Sequence, residues 1–233
     1  MPNTLLKLSS KLRRVVQDEY ALKSYSQEGE DLILRRIFGK KPVGFYVDVG
    51  AHHPKRFSNT YIFYQQGWCG INIDALPGTK ELFDKQRPRD INLEIPISEK
   101  TEELTYYEFD DPALNGFSEE LSNMRNESTP YKILATRKMT ARPLADILDE
   151  YLPDNQVIDF MTIDVEGWDL KVLKSNDWSK HKPKMVLVEI KNTDLGDVGS
   201  IPVVDFLKEH GYRPYAKCVN TWIFNRQPLE GLG

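Results

Sequence analysis

The sequence predicts an α/β fold: a mostly parallel sheet with helices on both faces and an antiparallel final strand. Short β-branched and apolar runs alternate with amphipathic helical patterns along the chain. Two of these runs, Phe45-Tyr46-Val47-Asp48-Val49 and Gly70-Ile71-Asn72-Ile73-Asp74, are apolar without a polar face and carry an acidic residue at or near the carboxyl end. Buried parallel strands that end at a ligand crevice have this pattern. The last two runs, about 212–218 and 221–225, are joined by a short turn at Asn220. They must pair antiparallel, because parallel neighbours need a long crossover.

Residues 3–20 read as a helix, with Leu5, Leu8, Leu12 and Val15 on one face and Lys7, Lys11, Arg13 and Arg14 elsewhere. It is expected as a separate unit, 1–23, that packs on the main domain, joins a homodimer or rests on an anionic membrane surface. The main domain then covers 24–233. Ser24 to Asp31 form a polar loop, with Ser26 the expected cap of a short helix. Next come a strand over 45–49, a helix over 57–66, a strand over 69–74, a helix over 79–86 and a strand over 91–97. An added strand is expected at 104–109. Residues 110–130, with Pro112, Gly116 and Pro130, are too long for a plain connector. They predict a lid or a disordered stretch, inside an insertion over about 101–140. Leu144, Ile147, Leu148 and Tyr151 mark a helix leading to strands over 159–164 and 185–190. The last helix, 201–210, is stopped by Gly211.

Asp74 closes its strand where a carboxylate can accept hydrogen bonds from two ribose hydroxyls, which points to a nucleoside ligand. A dinucleotide wants G-x-G-x-x-G at the first turn, so that amides reach a pyrophosphate. Here the turn reads Gly50-Ala51-His52-His53-Pro54, and Asp48 would repel a pyrophosphate. A cationic, amino-acid-like tail suits that carboxylate. S-adenosylmethionine combines such a tail with a ribose and has no phosphate.

Composition narrows the partners. The chain has 233 residues, 31 basic and 35 acidic, net −4, which excludes a bulk nucleic-acid binder. The two cysteines, Cys69 and Cys218, are too far apart in sequence to suggest a disulfide framework or a metal cluster. A reducing cytoplasm is the expected compartment, with at most a peripheral seat on the inner face of the membrane. No apolar run is long enough to span a bilayer or resembles a signal-peptide core.

Several motifs resemble the FkbM-type methyltransferases: Ser26-Gln27-Glu28-Gly29-Glu30-Asp31, Val47-Asp48-Val49-Gly50-Ala51, Ser58-Asn59-Thr60-Tyr61, Gly67-Trp68-Cys69-Gly70, Ile73-Asp74-Ala75 and Ile163-Asp164-Val165-Glu166-Gly167. Together they cover about 24–192 in the family's order. The resemblance implies a class I methyltransferase (Rossmann-like) fold with a seven-stranded sheet. It also implies S-adenosylmethionine as donor and transfer to oxygen, often of a sugar. Carried over, Asp48, Gly50 and Ala51 face the methionine part, Asp74 with Ala75 holds the ribose and Ser98 lies near the adenine. Gln27 closes over the donor, and Asp164 sits between donor and acceptor. His52-His53-Pro54 departs from the second glycine that many methyltransferases carry there.

A sugar hydroxyl is a poor nucleophile, so a base or a metal should help remove its proton. Asp164, Glu166 and Glu189 are the carboxylates at strand ends, and His53, beside His52, lies in the loop across the crevice. Asp164 and Glu189 should end adjacent strands, where two carboxylates raise each other's pKa or share a cation. Magnesium or manganese suits such oxygen ligands. The expected function is an S-adenosylmethionine-dependent O-methyltransferase for a sugar nucleotide or surface-glycan precursor. The alternatives are a nicotinamide-dependent oxidoreductase and a non-catalytic scaffold on the same sheet.

Overall fold

The computed structural model describes residues 20–197, 199 and 201–226. The helix expected over 3–20, and the dimer expected through it, fall outside these residues save for Tyr20. Among the described residues nine strands succeed one another: β1 (Phe45–Val49), β2 (Cys69–Asp74), β3 (Ile91–Glu94), β4 (Glu102–Phe109), β5 (Ile133–Ala141), β6 (Phe160–Ile163), β7 (Met185–Glu189), β8 (Tyr212–Lys217) and β9 (Thr221–Arg226). The helices are α1 (Glu30–Phe38), α2 (Tyr61–Gln65), α3 (Thr79–Gln86), α4 (Glu119–Ser128), α5 (Leu144–Tyr151), α6 (Asp169–Lys174) and α7 (Pro202–Glu209). Seven strands make one sheet in the order β3-β2-β1-β6-β7-β9-β8, and β4 with β5 makes a separate antiparallel hairpin. Only β9 opposes its neighbours, β7 and β8. The expected α/β sheet is the observed one. Among the described residues no helix is long and apolar enough to cross a membrane.

Successive strand residues face opposite ways, so each strand feeds two cores. Val47 and Val49 of β1, Ile163 of β6 and Val188 of β7 pack against Leu144 and Leu148 of α5 and Leu207 of α7. Tyr46, Phe160 and Leu187 pack on the other face against Leu34 and Phe38 of α1 and Phe63 of α2. This alternation also sorts the polar strand ends. Asp48 lies in register with Thr162, and Thr162 with Leu187, two residues before Glu189. Asp48, Thr162 and Glu189 therefore emerge on the α1–α2 side of the sheet.

Gly50 joins β1 to the loop at 51–60 under two constraints. Its φ is +82°, and a Cβ there would lie 1.8 Å from the Asp164 carbonyl oxygen. Only glycine lets the end of β1 pass this close to the end of β6.

Behind the strand ends lies a buried charged network. The Arg87 side chain is fully buried, and its Nε donates to Asp90 at 2.8 Å. Its other nitrogens donate to Thr60 Oγ1 at 3.0 Å and to the Tyr46 hydroxyl at 2.7 Å. Asp90 also accepts from the Tyr46 hydroxyl, Gly70 N and Asn72 Nδ2. Thr60 in turn donates to Asp48 at 2.9 Å. A buried pair is tolerable only with such satisfaction.

Some elements differ from the sequence reading. The helix expected at 57–66 starts at Tyr61, because Ser58 Oγ accepts from the Thr60 and Tyr61 amides and holds 58–60 in a turn. The strand expected at 91–97 stops at Glu94, two residues before Pro96, which has no amide to donate. Residues 110–130, expected as a lid or disordered, contain α4, capped by Ser118 Oγ accepting from Leu121 N. β5, absent from the sequence reading, pairs along the whole of β4. The N-cap of α1 is Gly29 rather than the expected Ser26; Ser26 Oγ lies in the preceding loop and accepts from Gly29 N at 3.1 Å and Asp31 N at 3.3 Å.

Candidate active site

A polar crevice, open to solvent, lies over the carboxyl ends of β6 and β7 and the start of β9. Thr162, Asp164, Glu189 and Thr221 form its floor, and Gln27 and Glu28 line it from the loop before α1. That loop is held by the β8–β9 turn. Glu28 accepts from Asn220 N at 2.7 Å and Asn220 Nδ2 at 3.0 Å, and Thr221 Oγ1 donates to Glu30 at 3.0 Å. Gln27, exposed, is thereby kept at the crevice edge. Phe57 and Asn59 line the crevice from the loop before α2. Asn59 Nδ2 donates to Thr162 Oγ1 at 2.9 Å, but its Oδ1 is buried without a partner. Such an orphan acceptor costs about 1–3 kcal/mol, so a ligand N–H or ammonium fits there.

One oxygen from each of Asp164, Glu166 and Glu189 lies within 4.8 Å of the other two. Lys191 Nζ bridges Glu166 at 2.7 Å and Glu189 at 2.9 Å, and Arg125 of α4 binds Glu166 as well. An ammonium thus already supplies the positive charge for which magnesium or manganese was expected. With two of the acids committed to it, the three do not form a free ligand set. Asp164 lies beside Glu189, with one carboxyl oxygen of each within 4.8 Å of the other. The protein packed around it, then the charges of Glu189, Glu166 and Asp169, hold its carboxyl well above the usual range. Asp164 still meets solvent in the crevice, which screens the first effect, so the crowding of acids is the more dependable cause. Burial also raises Glu189, with Lys191 opposing.

The turn after β6 is organised by Asp169, whose oxygens accept from Val165 N at 3.2 Å and Gly167 N at 3.1 Å. Burial pushes Asp169 up to about 7 against those bonds. Glu166 is thereby left to pair with Arg125 and Lys191 rather than to cap α6.

Asp74 accepts from His52 N and Leu76 N, each at 2.7 Å on a different oxygen, and burial raises its pKa against these bonds. Each oxygen retains a second acceptor site, so two hydroxyl donors can still be received. Ala75 N–H also points at this carboxylate, and Ala51 borders a small cavity with Asp74. Asp48 does not reach the crevice surface, being 6% exposed. Burial pushes it up to about 6, opposed by Arg87 and the Thr60 hydroxyl. A carboxyl raised in the folded state contributes most below its unfolded value, and that contribution is lost as pH rises through about 6. Asp48→Asn is therefore expected to stabilise the fold at pH 7 by about 2–3 kcal/mol, and far less near pH 4. Urea unfolding at the two pH values measures this; an equal difference at both would refute the assignment.

Ser98 is committed elsewhere: its Oγ donates to Glu102 at 2.6 Å at the foot of the hairpin. His53 Nδ1 accepts from Lys55 N at 3.0 Å and Arg56 N at 2.9 Å, so that nitrogen is not available as a base. His52 is the histidine turned toward the acids. Its ring stacks on Phe57 with centroids 6.3 Å apart, and it feels Asp111 and Glu166. His52, Phe57 and Glu166 all have φ between +50° and +60°, a strained state for such side chains that is common around working sites. Asn59 and Arg125 were not assigned a role from the sequence. Asn59 lies inside the Ser58-Asn59-Thr60 motif, whereas Arg125 carries no local signal.

An open parallel sheet whose acidic strand ends meet at one crevice defines a Rossmann-like α/β enzyme. The family described as the methyltransferase FkbM domain matches residues 48–214, and the chain belongs to it. Among solved structures, a TehB-like SAM-dependent methyltransferase from Corynebacterium glutamicum ATCC 13032 Kitasato is 10% identical. Its alignment covers 97% of this chain and 100% of that one, at a TM-score of 0.37. An O-methyltransferase from Bacillus cereus in complex with SAH is 8% identical, covering 96% of this chain and 90% of that one, at a TM-score of 0.37. A search of curated protein sequences returns no match.

Proposed function

We propose that this protein is an S-adenosylmethionine-dependent O-methyltransferase that acts on a sugar hydroxyl. The observation that carries this reading is the Asp164–Glu189 pair on the crevice floor. When bound, the donor supplies an electrophilic methyl on a good leaving group. Asp74 would receive the ribose hydroxyls on its remaining acceptor sites, and Asn59 Oδ1 the ammonium of the tail. Asp164, made more basic by its acidic neighbours, takes the proton of the acceptor hydroxyl as the methyl leaves the donor sulfur, and the Glu189 charge beside it favours the protonated form. Gln27, Thr162 and Thr221 offer hydrogen bonds to a polyhydroxylated acceptor, where an apolar slot would not.

The donor half is tested with S-adenosylhomocysteine by calorimetry. Asp74→Ala is expected to weaken binding by about 1.5–3 kcal/mol, the range for hydrogen bonds to a charged group. Asp74→Asn, which keeps an acceptor for one of the two hydroxyls, should lose less. Unchanged affinity in a folded Asp74→Ala variant would place the ribose elsewhere. Tight binding of NADH in its stead would favour the oxidoreductase.

A further inference from the structure

We propose that the acceptor carries a phosphate or diphosphate ester, received by Lys23, Lys55 and Arg56 on the outer side of the crevice lip. The proposal rests on the crevice being the site of methyl transfer. Most cations near the sheet are paired: Lys41 and Lys184 share Asp159, Arg87 has Asp90, and Lys191 has Glu166 and Glu189. Lys23, Lys55 and Arg56 are exposed and, among the described residues, have no carboxylate within ion-pair distance.

These cations converge. Lys23 Nζ lies 4.8 Å and Lys55 Nζ 5.9 Å from the centroid of one ring, Tyr25. Arg56 sits 4.4 Å over Phe57, which lines the crevice. Ser58 N donates to Tyr25 O at 3.0 Å, fastening the two loops into a single lip. Its inner side presents Gln27, Phe57 and Asn59 to the crevice, and its outer side the cations. Both ammonium groups lie within 6 Å of one ring centroid, and an anion at the ring's edge would be attracted by both. The crevice itself, lined by Glu28, Glu30, Asp164 and Glu189, would reject a phosphate. The charges thus separate the acceptor's parts: its neutral hydroxyl faces the acidic crevice, and its phosphate is left at the lip beside Lys55 and Arg56.

The test uses the full chain saturated with S-adenosylhomocysteine and titrated with inorganic pyrophosphate, uridine diphosphate and geranyl diphosphate. All three are expected to bind, more weakly as salt rises. The Lys55→Ala/Arg56→Ala double variant should bind them about tenfold more weakly or worse, with unchanged affinity for S-adenosylhomocysteine. Lys182→Ala, at the opposite end of the sheet before β7, should match the wild type. Tighter uridine diphosphate than pyrophosphate would support a nucleotide-linked acceptor, and tighter geranyl diphosphate a lipid-linked one. No diphosphate binding, or equal binding by the double variant, would overturn the proposal. Because S-adenosylhomocysteine is measured in the same samples, its binding without any diphosphate would sink this inference alone. Its own failure to bind would instead sink the donor reading beneath it.

Discussion

Asp164→Asn is expected to slow methyl transfer by about 10²–10⁴-fold, the range for loss of a positioned general base, while binding of S-adenosylhomocysteine stays nearly unchanged. The split comes from the layout. The ribose acceptor, Asp74, ends β2, whereas Asp164 comes just after β6 and meets Glu189 at the end of β7. The substitution keeps the side chain's shape and removes only its capacity to take a proton. Glu189→Gln should reduce turnover less, because it touches the reacting proton only through Asp164. Single-turnover transfer from labelled donor, to an acceptor found by screening sugar nucleotides, gives the rate. Activity is also expected to survive exhaustive chelation, since Lys191 already bridges Glu166 and Glu189. Loss on chelation with recovery by magnesium or manganese would restore the metal mechanism. An Asp164→Asn variant with wild-type turnover would move the base elsewhere, with His52 the next candidate.

The largest loss of stability is expected at Arg87. Replacing it by Met keeps much of the volume but leaves Asp90 as a buried charge without its cation, which costs about 3–5 kcal/mol. The damage should spread toward the site, because Thr60 receives from Arg87 and passes a hydrogen bond to Asp48. Adding Asp90→Asn removes the stranded charge and should recover part of the loss. Urea unfolding of the single and double variants measures both effects. A single variant within about 1 kcal/mol of wild type, the scale of an ordinary surface change, would show that the network contributes little.

The sheet was legible because its signals are local and repeated. The runs at 45–49, 69–74 and 185–189 are short, rich in β-branched and apolar residues and bounded by turns, as buried strands are, and the gaps between them hold helices. Gly211 ends α7 with φ +84°, as its place after an amphipathic run suggested. The hairpin was harder. β5 is exposed along most of its length, so Thr136, Arg137 and Lys138 give no burial pattern to read. Its partner β4 was found because it alternates. α4 is a mostly exposed helix in a stretch rich in Asn, Ser and Glu, and reads as a loop.

The sequence by itself determined the α/β class, the glycine at the first turn and the acids at the strand ends, because backbone propensity and burial period write these directly into residue order. It also placed Asp164 and Glu189 on adjacent strands. Only the tertiary structure decided what surrounds them. Lys191 stands between two of the acids, Arg125 reaches Glu166 from α4, and His53 turns its Nδ1 onto backbone amides. Asp48 lies beneath the crevice, linked to Arg87 through Thr60. Glu166 is separated by 41 residues from Arg125 and by 25 from Lys191, and electrostatic pairing depends on distance in space and on local water. Neither quantity has a signature in a linear sequence.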